Sequence, residues 1–237
     1  MKNKNLDIKF SIILPAYNED ENVIRLIREI NNIEELKKFT FEILVINDCS
    51  SDNTEKKVEE LKKNYDNIIL LSNLKNKGQS YSIHKGIKKS NYQVIVTMDA
   101  DGQNHPKDII RLLNHYNKEH HKCLVGGIRK DRKDSFMKKK SSIIANKIRN
   151  IFFKDDCEDT GCALKVFDKE IFLMIPFFSS MHRFLPVFFK KLKCEMIYIP
   201  VSHRSRTYGK SKYGTFKRLF RVIFDLFYVN YLLKKIK

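Results

Sequence analysis

Short apolar runs alternate with amphipathic stretches over the first hundred residues of the chain. Four of these runs have the length of a buried strand: Phe10–Leu14, Phe41–Ile46, Ile68–Leu71 and Val94–Met98. The segments between them place apolar residues at helical spacing, as in the set Val23, Ile24, Ile27 and Ile30. Continuous apolar strands separated by amphipathic helices are typical of a parallel sheet covered on both faces. The pattern therefore predicts an α/β fold with a Rossmann-like, doubly wound and mainly parallel sheet.

The second half of the chain is less regular. Residues 122–150 contain a short apolar stretch, a basic loop and an amphipathic helix. Further helices are expected near residues 168–174 and 182–192, and a strand at Met196–Ile199. Because no internal repeat or low-complexity linker occurs, we expect one domain over residues 1–215, followed by a basic amphipathic helix over residues 216–237.

The charge of the chain is unevenly distributed. Of 237 residues, 42% are hydrophobic and 31% are charged, a normal globular balance, and the formal net charge is +18. Residues 122–154 and residues 203–237 each carry a net charge of +9, which accounts for the whole excess. This pattern indicates anionic partners at particular faces, such as phosphates, nucleic acid or an anionic membrane. The simpler interpretation is two lysine-rich surfaces that favour solubility.

The sequence also bears on location. No run of 18 or more uncharged apolar residues occurs, so a conventional membrane span is not expected. The first residues lack the apolar core of a signal peptide, which predicts a cytoplasmic protein. The five cysteines form no C-x-x-C pair and are interpreted as free thiols.

Polar stretches follow three of the four predicted strands, at Pro15–Glu19, Asn47–Asp52 and Asp99–Gln103. Ligands of such sheets bind at the carboxyl ends of the strands. Asp99 and Asp101 leave a strand into a glycine turn, and Gln103 could add a further oxygen. Hard oxygens of this kind suit Mg²⁺ or Mn²⁺, which are usually held by one or two carboxylates plus substrate phosphates. The alternative is an Asx turn with no ligand.

The other two strand ends have a binding and a structural interpretation. Asp48 could accept hydrogen bonds from a nucleoside, with Tyr17 and Glu19 at the edge of a base pocket. Equally, Ser50, Ser51 or Asp52 would make a good helix N-cap, and Pro15 could simply begin a turn.

Taken together, the three stretches resemble the family 2 glycosyltransferases, which have the GT-A fold, in order and spacing. The likeness continues at Gly126–Arg129, Asp159–Cys162, His182–Pro186 and Arg206–Tyr213, and covers roughly residues 9–215. The last stretch is similar to the R-x-x-G-x-S-K element of the dolichyl- or polyprenyl-phosphate mannose synthases and their bacterial relatives.

The resemblance implies roles for particular residues. The implied nucleoside-binding residues are Pro15, Tyr17, Glu19 and Asp48. The implied metal and diphosphate residues are Asp99, Asp101 and Gln103, with Mg²⁺ or Mn²⁺ as the cofactor. The implied phosphate-binding residues are Arg129, a basic residue near Lys138–Lys140, Arg206 and Lys212. Asp101, Arg129, Asp159, Arg206 and Lys212 are the candidate catalytic residues.

The sequence departs from the family's pattern at three places. Asn47 stands where relatives often have a first Asp, so the nucleoside role passes to Asp48. Lys138–Lys140 stand where an Arg is common. Asp159-Thr160-Gly161-Cys162 differs from the T-S-G element of the mannose synthases, which bears on the sugar more than on the reaction.

The resemblance implies an inverting, metal-dependent transfer of a hexose, with mannose as the first guess, to polyprenyl (dolichyl or undecaprenyl) phosphate. The donor would be GDP-mannose or a UDP-sugar. A divalent metal and Arg or Lys side chains stabilise the charge on the leaving nucleoside diphosphate. A lipid monophosphate, with a second pKa of about 6, is already anionic near neutral pH and needs orientation more than deprotonation. Asp159 would be either a base or a group that orients an arginine.

Two other functions are consistent with parts of the sequence. A family 2 enzyme with a UDP-sugar donor and a sugar-hydroxyl acceptor would need a base such as Asp159. A nucleic-acid-binding protein would explain the positive charge but would leave the acidic strand ends without a role. We therefore predict no nucleic-acid partner.

The C-terminal segment suggests a membrane surface. Its least charged stretch, Val222–Leu233, would cover about 18 Å as a helix. This length is too short for a hydrocarbon core of about 30 Å. An interfacial helix with its lysines and arginines on anionic lipid is the preferred interpretation, and a helix packed on the domain is the alternative. The sequence thus predicts peripheral attachment to the cytoplasmic face of a membrane.

Overall fold

The computed structural model describes residues 8–116, 123–130, 146–206 and 215–236. Its strands are β1 (Lys9–Ala16), β2 (Thr40–Asn47), β3 (Ile68–Ser72), β4 (Val94–Thr97), β5 (Cys123–Arg129), β6 (Lys165–Asp168) and β7 (Glu195–Val201). Its α-helices are α1 (Asp20–Asn31), α2 (Thr54–Lys62), α3 (Gln79–Lys89), α4 (Asp108–His115), α5 (146–153), α6 (Lys169–Leu173), α7 (Leu185–Lys191) and α8 (Thr215–Lys235).

Within the described residues the strands form one sheet in the order β3-β2-β1-β4-β6-β5-β7. Strands β3, β2, β1 and β4 are parallel, β6 is antiparallel to both of its neighbours, and β5 is parallel to β7. The prediction of a mainly parallel α/β sheet is therefore confirmed. Strand β6 was not predicted, because four buried residues are too few to give a recognisable period.

Alternate residues of the central strands pack on opposite faces of the sheet. Ile12 and Leu14 of β1 contact the core beneath α1, α2 and α4. Ile13, between them, packs on the other side with residues of α3, α6, α7 and α8. Both faces are therefore covered, which is why these strands read as continuous apolar runs.

The order of the strands assembles the cleft. Strands β2, β1 and β4 are adjacent and parallel, with Ala16 paired to Asn47 and Ile13 paired to Thr97. Their carboxyl ends therefore meet at one edge of the sheet. The three polar stretches predicted from the sequence follow these three strands.

The C-terminal helix packs on the domain. Leu226, Val229 and Leu232 of α8 are buried in the core on the α3 side of the sheet. No helix within the described ranges is long and apolar enough to cross a bilayer. The division of the chain at residue 215 remains a prediction. The first part of the amphipathic helix predicted near residues 135–153 lies outside the described residues.

Candidate active site

The end of β4 carries two acidic side chains close together. Asp99 Oδ1 accepts a hydrogen bond from Gln79 Nε2 at 2.7 Å, and Asp101 Oδ1 accepts one from the Gln103 backbone N–H at 3.1 Å. Both carboxylates line a cleft of about 260 Å³. The remaining side chains of this cleft that matter for the site are Pro15, Tyr17, Glu19, Asp48 and Arg206.

The charged forms of Asp99 and Asp101 are both disfavoured by their surroundings. Desolvation, followed by the charge of Asp101, raises the pKa of Asp99 to about 7. Desolvation also raises the pKa of Asp101, although the Gln103 N–H and the Arg206 charge oppose this. A divalent cation would relieve both effects, and carboxylate oxygens are the ligands that Mg²⁺ and Mn²⁺ prefer. Among the described residues, no group of three or more His, Cys, Asp or Glu side chains has the arrangement of a metal site.

The end of β2 also carries an acid, but this one is already fully hydrogen-bonded. Asp48 Oδ1 accepts from Asn73 Nδ2 at 2.8 Å and from the Lys77 N–H at 2.9 Å, and Oδ2 accepts from the Gly78 N–H at 2.7 Å. Gly78 has a φ of +85°, a conformation that favours glycine. Asp48 therefore fixes the loop that leads into α3, and a nucleoside would share an acceptor that has three donors already.

The end of β1 contributes a more exposed edge. Tyr17 is 39% exposed at the mouth of the cleft. Glu19 accepts from Asn22 Nδ2 at 2.8 Å through one oxygen and forms an ion pair with Arg206 through the other. The predicted nucleoside-binding residues Pro15, Tyr17, Glu19 and Asp48 thus line one wall of the cleft.

The segment that carries Arg206 is held against the acidic turn. The Arg204 N–H donates to the Gln103 carbonyl at 2.8 Å, and Gln103 Nε2 donates to the Arg204 carbonyl at 3.3 Å. The Arg204 guanidinium pairs with Glu29 at 2.9 and 3.0 Å. This anchor brings Arg206 Nη1 to 3.8 Å from Asp101 Oδ2. Arg206 therefore lies in the same cleft as the acidic pair.

Arg129 and Asp159 form a partly buried ion pair. Asp159 accepts from Arg129 Nε at 2.8 Å, from Nη2 at 2.7 Å and from the backbone N–H at 3.1 Å. Gly161, two residues later, leaves room for the pair, because a Cβ there would lie 2.8 Å from Arg129 Nη2. With this many bonds to Arg129, Asp159 is arranged to orient the arginine.

A second cavity of about 110 Å³ lies beside the first, and Gln79 and Asp99 line both. Lys165 and Arg183 also line it, and so does His182, whose Nδ1 lies 2.6 Å from Ser80 Oγ. The buried Lys165 ammonium is hydrogen-bonded to the Cys162 carbonyl.

Sequence reasoning missed Gln79 and Lys165. Gln79 directly follows Gly78 and begins a helical stretch, which is a local signal. The predicted strand before it, Ile68–Leu71, is the one of the four to which no polar stretch was assigned. Lys165 had no local signal, because its strand is antiparallel and only four residues long. Two other predicted positions, Lys138–Lys140 and Lys212, lie outside the described residues.

Comparison with known proteins identifies the family. Residues 11–174 match the family described as Glycosyl transferase family 2. The chain belongs to this family, and the prediction of a family 2 glycosyltransferase is confirmed.

One similar protein is the undecaprenyl-phosphate 4-deoxy-4-formamido-L-arabinose transferase of Proteus mirabilis. It is 31% identical over 220 residues, which are 92% of this chain and 66% of the relative. The chain thus spans just under two thirds of the relative's length.

Two solved structures have a similar fold. Glucosyl-3-phosphoglycerate synthase from Mycobacterium tuberculosis, in complex with Mn²⁺, UDP and glucosyl-3-phosphoglycerate, has a TM-score of 0.68 at 13% identity, covering 93% of this chain and 77% of that one. Mannosyl-3-phosphoglycerate synthase from Rubrobacter xylanophilus has a TM-score of 0.70 at 14% identity, covering 94% and 74%. At this identity the likeness concerns the fold alone, and it agrees with the predicted fold class.

Proposed function

We propose that this protein transfers a sugar from a nucleotide-sugar to polyprenyl phosphate with the help of a divalent metal. The observation that carries the proposal is the meeting of Asp99, Asp101 and Arg206 in one cleft. Such a cleft suits a donor diphosphate held through a metal, with the arginine beside it for the acceptor phosphate. The name of the Proteus mirabilis relative, an undecaprenyl-phosphate sugar transferase, supports the choice of acceptor.

Asp99 and Asp101 are the residues that would hold Mg²⁺ or Mn²⁺, and substrate phosphates would complete the coordination. When bound, the ion supplies positive charge against the diphosphate oxygens as the leaving group departs. Structures of the mycobacterial synthase contain UDP with Mn²⁺ or with Mg²⁺, which supports this assignment by analogy of fold. Gln103, the third predicted ligand, directs its amide nitrogen to the Arg204 carbonyl.

Transfer to a phosphate acceptor requires cations more than a base. A phosphate oxygen of the lipid attacks the anomeric carbon, the bond from that carbon to the diphosphate breaks, and the configuration inverts. Arg129 and Arg206 would bind and orient the donor diphosphate and the lipid phosphate. Asp159 fixes the guanidinium group of Arg129, and Glu19 fixes that of Arg206. Preorganised charges of this kind stabilise a developing negative charge effectively. Lys212 remains a predicted member of this set.

A sugar-hydroxyl acceptor is the second candidate, and Asp159 distinguishes the two. As a general base it would have to give up part of its pairing with Arg129. Its three hydrogen bonds to Arg129 favour the orienting role and hence the phosphate acceptor.

The proposal is tested by sugar transfer from labelled donors to a panel of acceptors. Donors are UDP-glucose, UDP-N-acetylglucosamine, a UDP-linked 4-formamido-arabinose and GDP-mannose. The last tests the predicted mannose, and the arabinose derivative tests a pentose against the predicted hexose. Acceptors are undecaprenyl phosphate, dolichyl phosphate and a simple hexose, each with and without Mn²⁺. Metal-dependent label on a polyprenyl phosphate supports the proposal, whereas label only on the hexose would favour the hydroxyl acceptor.

The acceptor places the reaction at a membrane, because polyprenyl phosphates are lipids. We therefore also propose peripheral attachment of the chain to a membrane surface, with the cytoplasmic side as the predicted face.

A further inference from the structure

Residues 224–235 of helix α8 present two apolar faces, of which one is buried and the other is largely exposed. Leu226, Val229 and Leu232 are buried. The opposite face is a stripe of exposed aromatic residues at the helical spacing i, i+3, i+4 and i+7: Phe224, Phe227, Tyr228 and Tyr231. Their exposed fractions are 82%, 65%, 47% and 52%. An ordinary surface helix would have polar residues on this side.

Helix α5 extends the stripe. Ile151 and Phe152 are 70% and 55% exposed, and the ring of Phe152 lies 6.5 Å from the ring of Phe227 in an edge-to-face arrangement. The two helices thus form one surface, here called the aromatic face: Ile151, Phe152, Phe224, Phe227, Tyr228 and Tyr231. Contiguous exposed apolar surface of this kind marks an interaction site rather than a random surface feature.

The charge around the aromatic face selects its partner. Helices α5 and α8 lie in the segments 122–154 and 203–237, which together hold the whole net charge of +18. Exposed lysines border the face at Lys147, Lys154, Lys234 and Lys235. Lys235 Nζ lies 4.4 Å from the centroid of the Tyr231 ring. Aromatic side chains surrounded by lysines are typical of helices that lie in the headgroup region of an anionic membrane.

The aromatic face is also connected to the active site. The Tyr228 ring lies 5.9 Å from Phe178, and Phe178 lies 6.1 Å from Phe184. Phe184 directly follows Arg183, which lines the second cavity beside Asp99. On the α5 side, Asn146 Oδ1 accepts from Thr160 Oγ1 at 2.9 Å, next to Asp159. These contacts link the aromatic face to the second cavity and to the segment that carries Asp159.

We propose that the aromatic face docks on an anionic lipid leaflet, with its rings among the headgroups and acyl chain ends and its lysines on lipid phosphates. The occupant is a lipid surface because the face combines exposed aromatic residues with exposed lysines at its border. A second copy of this chain would carry the same positive charge and would be repelled. The biological purpose of this docking rests on the proposed polyprenyl phosphate acceptor, but the binding of the aromatic face to lipid does not.

The absence of tryptophan from the chain allows a direct test. The variant Phe227→Trp carries a single tryptophan on the face, and Leu74→Trp carries one at a fully exposed position outside α5 and α8. Each is mixed with vesicles of phosphatidylcholine alone or with added phosphatidylglycerol. We expect a blue shift and quenching by brominated lipid for Phe227→Trp with anionic vesicles, reduced by salt, and neither effect for Leu74→Trp. No change for Phe227→Trp would overturn the proposal.

A second experiment measures binding by sedimentation with anionic vesicles. The double variant Phe224→Ser/Phe227→Ser should lower the partition coefficient by about tenfold or more, since each ring is a large apolar group taken out of water. Leu74→Ser should leave it unchanged, and circular dichroism checks that all variants are folded. Unaltered binding of the double variant contradicts the proposal. So does a wild-type dimer that the same double variant dissociates, because a second copy would then cover the face.

These measurements use no donor and no polyprenyl phosphate. Vesicle binding without sugar transfer would therefore count against the proposed function alone. Transfer to a water-soluble short-chain polyprenyl phosphate, without vesicle binding, would count against the docking surface alone.

Discussion

The carboxyl ends of β2 and β4 face the same cleft, yet their acidic side chains have different surroundings. Asp48 accepts three hydrogen bonds from the loop before α3. Asp99 and Asp101 repel each other and have raised pKa values. The acid at the β2 end is therefore well supplied with hydrogen-bond donors, whereas the two acids at the β4 end are only partly compensated by the nearby Arg206. The role of an acid in such a cleft therefore depends on its hydrogen-bond donors as much as on its position after a strand.

The two arginines proposed to bind phosphate differ from both acidic ends in their surroundings. Arg129 and Arg206 are each held by a carboxylate, Asp159 and Glu19 respectively. If these arginines bind phosphate as proposed, their guanidinium groups are already oriented, which would lower the cost of reorganisation.

The largest effect should come from the β4 end. Asp101→Asn removes a charge that would hold the metal and should lower turnover by about 10²–10³-fold, comparable to the loss of one strong stabilising group in other enzymes. Steady-state transfer to undecaprenyl phosphate measures it, with circular dichroism as the folding control. Turnover at the wild-type level would remove Asp101 from the metal site.

Arg206→Ala tests the role of the arginine side chains in phosphate binding. We expect about a 10²-fold loss of transfer to lipid phosphate, and a smaller loss of UDP affinity measured by calorimetry, because the acceptor phosphate depends on this arginine. Arg206 also lies 3.8 Å from Asp101, so it could act on the donor instead. Equal losses of transfer and of UDP affinity would contradict the prediction and assign Arg206 to the donor diphosphate.

Protonation of Asp99 should control metal binding. Its pKa is raised from 3.8 to about 7, so below pH 7 a metal must displace a proton, and affinity for Mn²⁺ with UDP should rise by up to about tenfold per pH unit and level off above pH 7. Without metal, the folded chain retains a proton that the unfolded chain loses, so stability should fall as pH rises from 4 to 7. Mn²⁺ titrations and thermal melts measure both trends. Asp99→Asn, which also removes a proposed metal ligand, should flatten the trend in stability, and an unchanged slope of stability against pH in this variant would implicate another group.

The Arg129–Asp159 pair gives a smaller and more discriminating effect. Gly161→Ala should displace the Arg129 guanidinium, because the new Cβ would lie 2.8 Å from Nη2. Asp159→Asn should disturb the same arginine, so both variants should lose about tenfold in transfer. A much larger loss for Asp159→Asn, in the range of about 10²–10⁴-fold, would indicate a general base and the hydroxyl acceptor.

The smallest effect on turnover should come from the β2 end. Asp48→Asn leaves one backbone N–H of the Lys77–Gly78 turn without an acceptor and should cost about 1–3 kcal/mol of folding stability. Urea unfolding measures this loss. A wild-type midpoint together with a large loss of UDP affinity would instead support the nucleoside role predicted for Asp48.

The local sequence pattern was enough to predict much of the fold and the acidic part of the candidate site. Strands β1 to β4 are continuous apolar runs because both faces of the sheet are covered, and the Asp99-x-Asp101 pair is contiguous in sequence. Contacts between distant segments could not be predicted. Glu19 and Arg206 are 187 residues apart, and no periodicity links them. Both faces of α8 are apolar, so its sequence alone could not separate a packed helix from an interfacial one.

Mn²⁺ binding in the presence of UDP tests the contrast between the two strand ends most directly. Electron paramagnetic resonance of unbound Mn²⁺ gives the stoichiometry and affinity for the wild type, Asp101→Asn and Asp48→Asn. We expect one UDP-dependent Mn²⁺ per chain in the wild type and in Asp48→Asn, and at least about a hundredfold weaker binding in Asp101→Asn. Wild-type Mn²⁺ binding by Asp101→Asn, with loss of binding in Asp48→Asn, would contradict this expectation.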